Sequence, residues 1–223
     1  MLAVTEMPDG QHESQHDGEY DEVPAALGVV CEAGRGTLPF ALLHGEALVA
    51  CASWALGEAG VQQVDTGTTW AALAESGEPL VLHDPLCPAT PADHLAACLR
   101  RCDAEQAVVV AVRPVTDTVK TVEPLEPAGG GVEAVGETVD RERLLEVASP
   151  VVLPPAVVAA LAADGLDGAL PADPGEVDLP AVVPLLAGRF PVVTQTAPAT
   201  ARRVAGPEDL QVLEALTGPP SRP

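Results

Sequence analysis

A glycine-rich turn, Ala33-Gly34-Arg35-Gly36, follows directly on the apolar run Leu27–Cys31 and precedes a segment of helical period. Small residues at a strand exit let backbone N–H groups come close to an anion, so a turn placed here can receive phosphate. The same turn is common with no ligand at all, and the motif alone does not decide between the two. A Rossmann dinucleotide site is disfavoured, because the third glycine is missing and no acid closes a clear second strand. Four further segments follow in order. His83-Asp84 ends an apolar run, and Pro114-Val115-Thr116-Asp117-Thr118-Val119-Lys120 and Thr138-Val139-Asp140-Arg141 flank a turn-rich stretch. Arg203-Val204 stands just before Pro207-Glu208-Asp209-Leu210.

Other clusters have plainer readings. His94, Cys98 and Cys102 recur every four residues, a spacing that can present metal ligands on one helix face, but cysteine is equally a small apolar residue in an Ala-rich helix. Cys87 lies near His83, with nothing else in the sequence to activate a thiol. Arg100-Arg101 are expected to end a helix, where cations complement the dipole. Trp54 and Trp70 are expected in the core or at its edge.

The elements that must position these residues read as alternating βα units around a mostly parallel sheet. Strands are expected at Leu27–Cys31, Val61–Val64, Pro79–His83, Ala107–Val112, Pro150–Leu153 and Pro191–Thr194. Helices are expected at Glu46–Glu58, Thr68–Glu75, Pro91–Cys102, Glu142–Val147, Ala156–Ala163, Leu179–Leu186 and from Pro207 to about Gly218. Thr118–Val122 and Val132–Val139, with turn formers at 127–131 between them, read as a long hairpin arm over about 115–140 that packs on a partner subunit. Residues 1–22 are acidic and poor in large apolar side chains, which predicts a disordered tail. Residues 23–218 then form one domain, and Pro-rich 219–223 a loose end.

Taken together, the Gly turn, His83-Asp84, the Pro-x-x-Asp-Thr-x-Lys and Thr-Val-Asp-Arg pair and the Arg203 segment resemble the 2-C-methyl-D-erythritol 4-phosphate cytidylyltransferases across nearly all of residues 25–218. The resemblance implies a three-layer α/β fold of the nucleotide-diphospho-sugar transferase type with a protruding β-hairpin arm, and a homodimer made through that arm. It implies attack of methylerythritol phosphate on the α-phosphorus of CTP, with Mg²⁺ and several cations around the triphosphate. By position, Ala33, Gly34, Gly36 and Asp84 would bind the nucleotide, with Asp84 also the metal ligand. Arg203 would serve as a catalytic cation, and Thr118 and Arg141 would hold the methylerythritol phosphate. Arg35, beside the loop and outside the family's pattern, is the nearby cation that could act catalytically in place of missing ones, a surface or helix-capping role being its alternative.

The chain departs from the family's pattern at the loop. Gly36 runs through Thr37-Leu38 to Pro39, and Phe40 stands where the family has a Lys; Cys87 replaces an Arg, and Ser149-Pro150-Val151 replaces Thr-Pro-Gln. Each charge-assisted phosphate contact is worth about 1.5 to 3 kcal/mol, so two or three losses predict a rate or affinity lower by roughly a thousandfold. The sequence therefore predicts an impaired or altered cytidylyltransferase, with a non-catalytic relative of regulatory or scaffolding role as the alternative. Formal charge is −22, and outside the tail acids still outnumber the 11 bases more than two to one. Such a surface repels nucleic acid and anionic lipid. No apolar run approaches a membrane span, the N-terminus is acidic, and five cysteines lack a secreted spacing, which together predict a cytoplasmic protein with reduced thiols.

Overall fold

The computed structural model describes residues 23–65, 67–124 and 133–218. The expected tail (1–22), loose end (219–223) and arm tip lie outside those residues. In chain order the strands are β1 (Leu27–Val30), β2 (Leu42–Leu43), β3 (Glu46–Ala47), β4 (Gln62–Gln63), β5 (Leu80–His83), β6 (Val108–Pro114), β7 (Val119–Pro124), β8 (Glu133–Val139), β9 (Leu145–Leu153) and β10 (Val192–Thr196). The helices are α1 (Leu48–Glu58), α2 (Trp70–Ser76), α3 (Ala92–Glu105), α4 (Pro155–Gly168), α5 (Leu179–Ala187) and α6 (Pro207–Thr217).

Six strands form one sheet in the order β10-β6-β9-β5-β1-β4, with β9 antiparallel to its neighbours and the other pairings parallel. The central strands are continuous apolar runs because both faces are covered. Their side chains alternate between two cores. Leu80, Leu82, Val108, Val110, Val151 and Leu153 meet α2, α4 and α5, while Val81, Val109 and Val152 meet α1 and α3. The result is a three-layer α/β domain. Gly28 in β1 is needed for that packing, since a Cβ there would lie 2.6 Å from Cγ1 of Val61.

Local signals place the helix ends. The Thr69 hydroxyl accepts from Ala72 N–H at 3.3 Å to start α2, and Gly77 ends it at φ 69°, as capping requires. Pro155 and Pro207 occupy first turns, where the missing N–H costs nothing.

Four expectations are corrected. Glu46–Ala47 is strand, because His44 and Gly45 both adopt positive φ and close a two-residue hairpin with Leu42–Leu43; α1 therefore starts at Leu48. Its buried stripe is Leu48, Ala52, Ala55 and Leu56, with Cys51 only half-buried. Glu142–Val147 is not a helix. One 3₁₀ turn at Arg141–Arg143 leads into β9, whose Leu145, Glu146 and Val147 pair with Pro114, Arg113 and Val112, so ladder hydrogen bonds to β6 prevail over a short helical pattern. Arg100-Arg101 do not end a helix, since α3 continues to Glu105; Arg101 bonds Glu105 and reaches the Thr194 carbonyl on β10. Trp54 is 55% exposed, whereas Trp70 is buried.

β7 and β8 pair as a separate two-stranded ladder with Val119 opposite Val139 and Val122 opposite Val135. Among the described residues no helix is long and apolar enough to cross a membrane.

Candidate functional site

The Gly turn leaves β1 beside the end of β5. Cys31 N–H donates to the His83 carbonyl at 2.8 Å, and Ala33 N–H to the Gly175 carbonyl at 3.3 Å. Gly34 and Gly36 have φ of 76° and 60°, with open space where a Cβ would sit. Backbone conformation, and not crowding, requires glycine here.

Between them, Arg35 turns inward. Its Nε donates to Asp84 Oδ1 at 2.9 Å and its Nη2 to Oδ2 at 3.1 Å; Nη1 also reaches the Ala33 carbonyl at 2.8 Å and Nη2 the Val177 carbonyl at 3.4 Å. The Arg35 and Asp84 side chains are 6% and 3% exposed. Desolvation pulls the Arg35 pKa down, but the hydrogen bond and charge of Asp84 outweigh it and leave it above its ordinary value. Arg203, 30% exposed, donates from Nε to Asp84 Oδ2 at 3.3 Å. Its segment is fastened where Val204 N–H donates to the Leu86 carbonyl at 2.7 Å.

Asp84 is held from below as well. Its Oδ1 accepts from Leu86 N–H at 2.9 Å, and its own N–H donates to the Ser149 hydroxyl at 2.9 Å. Ser149 Oγ lies 2.5 Å from His83 Nδ1. Burial pushes the His83 pKa down to about 4, so its ring is neutral. Burial also pushes the neighbouring thiols up, Cys31 to about 12 and Cys87 further, which leaves neither activated as a nucleophile. On α3, His94 Nε2 sits 3.8 Å from Cys98 Sγ. Among the described residues no group of three or more His, Cys, Asp or Glu is arranged to hold a metal ion.

The structure thus brings together Arg35, Asp84 and Arg203, from three distant stretches of chain, at the C-terminal edge of β1 and β5. That edge is where open α/β sheets take ligands. On the other side of the turn, Ala33 lines a cavity of about 360 Å³ whose charged residues are Glu32, Asp65, Asp173 and Glu176, with no Lys or Arg. A triphosphate is repelled from such a lining; a neutral, donor-rich group is not. Thr118 and Arg141 flank the β7–β8 ladder, where Arg141 donates to the Thr116 carbonyl, and Lys120 donates to Thr138 across the ladder. Neither Thr118 nor Arg141 appears in the hydrogen-bond network of Asp84 among the described residues. Phe40 is 63% exposed. Ser149 carries a supporting role that sequence reasoning had counted only as a lost contact; its place beside His83 and Asp84 follows from the β5–β9 pairing.

The family model for IspD, 2-C-methyl-D-erythritol 4-phosphate cytidylyltransferase, matches residues 48–217. The chain belongs to this family. The matched stretch begins at Leu48, downstream of the Gly34–Gly36 turn. A curated relative, the bifunctional enzyme IspD/IspF of Clavibacter michiganensis subsp. michiganensis, is 44% identical over 88 residues. That match takes in 40% of this chain and 20% of the relative, so the chain spans only a small part of its length. The fold matches solved IspD-type structures. The 2-C-methyl-D-erythritol 4-phosphate cytidylyltransferase of Thermus thermophilus gives a TM-score of 0.61 at 23% identity, covering 86% of this chain and 98% of that one. The 4-diphosphocytidyl-2C-methyl-D-erythritol synthase of Anaerococcus prevotii gives 0.58 at 12% identity, with the same coverage.

Proposed function

We propose that this IspD-family chain transfers a cytidylyl group from CTP to methylerythritol phosphate, at a rate reduced by the state of its nucleotide loop. The observation that carries the reading is the convergence of Arg35, Asp84 and Arg203 at the sheet edge, in the chain order that the family resemblance requires. In this reaction a phosphate oxygen of methylerythritol phosphate attacks the α-phosphorus of CTP, and the bond to the departing pyrophosphate breaks. Neutralising the triphosphate is the protein's main task. Arg203 is the cation best placed for it, since it is partly exposed and bound to Asp84 by one long contact. Arg35 is buried against Asp84 and two carbonyls and contributes only indirectly, by holding the turn. Ala33, Gly34 and Gly36 offer the backbone of that turn to the nucleotide.

Thr118 and Arg141 hold the methylerythritol phosphate, delivered across a homodimer by the β7–β8 hairpin. Support for the dimer comes from Val122 and Val135, an opposed pair 57% and 75% exposed, which is apolar surface that pairing with a second copy would cover. Magnesium, which the resemblance implies, finds no open acceptor on Asp84.

A second reading, a non-catalytic relative that keeps the fold, is favoured by that same saturated Asp84 and by the acidic cavity. Thermal melts decide between them. A nucleotide at a hundred times its Kd stabilises by about 2.7 kcal/mol, so CTP should raise the melting temperature of the wild type and not of Arg203→Gln. No shift in either protein would support the non-catalytic reading.

A further inference from the structure

A carboxylate offers about four lone-pair directions to donors. On Asp84 all four are taken by the protein itself. Oδ1 accepts from Arg35 Nε at 2.9 Å and from Leu86 N–H at 2.9 Å, and Oδ2 accepts from Arg35 Nη2 at 3.1 Å and Arg203 Nε at 3.3 Å. The guanidinium of Arg35 is fixed on its far side too, by the carbonyls of Ala33 and Val177. Two arginines against one carboxylate leave a net positive charge, and a divalent cation placed among them would be repelled by it.

We infer that the guanidinium of Arg35 is the resident cation of this site. It occupies the Asp84 acceptors that a divalent metal ion would need, and it makes Asp84 a clamp that ties the Gly turn and the Arg203 segment to the end of β5. The chain therefore takes no divalent metal at Asp84 while Arg35 is present. This inference stands on the geometry at Asp84 and holds whether or not the chain turns CTP over.

The test is a Mn²⁺ titration of the full chain without nucleotide, with free Mn²⁺ followed by electron paramagnetic resonance. Wild type should show only the weak background of its surface carboxylates. Asp84→Asn should give the same titration as wild type, because the carboxylate it removes holds no metal.

A single tight Mn²⁺ site in wild type that disappears in Asp84→Asn would overturn the inference. If Asp84→Asn fails to fold, the wild-type stoichiometry decides: one site above background refutes the inference, and none upholds it. Failure of CTP turnover leaves all of these outcomes unaffected, because no nucleotide is present.

Discussion

Replacing Asp84 with Asn keeps the shape of the side chain and removes its charge, which should strand Arg35 inside the protein. Arg35 is 6% exposed and would keep only the Ala33 and Val177 carbonyls as partners, with the new amide facing its donors. Breaking a buried ion pair by removing one partner costs about 3 to 5 kcal/mol. The contact to Arg203 adds little, since that side chain is 30% exposed and 3.3 Å away and solvent screens it. The expected loss of stability is therefore about 3 to 4 kcal/mol, a large part of the roughly 5 to 15 kcal/mol typical of a domain. Urea unfolding, followed by the fluorescence of buried Trp70, measures it. A cycle with Arg35→Gln should show strong coupling, with the double variant much less destabilised than the two single losses combined. If Asp84→Asn lies within about 1 kcal/mol of wild type, or is more stable, as expected of a carboxylate kept only for ligand binding, the clamp reasoning fails.

Three more outcomes follow from the same geometry. His83 titrates near 6.5 when unfolded and at about 4 when folded. The unfolded chain therefore takes up the proton first, and the contribution of His83 is complete above pH 6.5 and lost as pH falls through 4. The amount is about 3 kcal/mol, and it should be missing from the pH dependence of the urea midpoint in His83→Gln. In native protein, Cys51 alone should react with a thiol reagent, because Cys31, Cys87, Cys98 and Cys102 are buried and Cys51 only half-buried. Partial burial raises the Cys51 pKa as well, so its reaction should be slower than that of a free thiol, and denaturation should release all five. Gly28→Ala should cost about 1 to 3 kcal/mol by overpacking against Val61 and Leu56, and an unchanged melting temperature would show that β1 and α1 can separate freely.

Most of the fold was legible because buried strands and amphipathic helices leave different periods. The runs Pro79–His83 and Ala107–Val112 read as strands because they are short, apolar and, in the second, rich in Val. The start of β9 was not legible, since Leu145-Glu146-Val147 is too short to show its period and its strand character comes from β6, some thirty residues away in the chain. At the site, Asp84 and Arg203 could be found from the order of their motifs. The direction of Arg35 could not, because a long side chain between two glycines can lie on either face of the turn, and Asp84 is what draws it inward. The exposure of Trp54 was hidden for a similar reason: its helix stripe is set by Ala52, Ala55 and Leu56, and alanines carry little pattern.

The most direct measurement of the functional claim is pyrophosphate release from CTP by the full chain, with methylerythritol phosphate present or omitted, beside Arg203→Gln. The account predicts slow release that requires methylerythritol phosphate and is lost in the Arg203 variant. Release that is absent in the wild type, with no CTP-dependent rise in melting temperature, would contradict it.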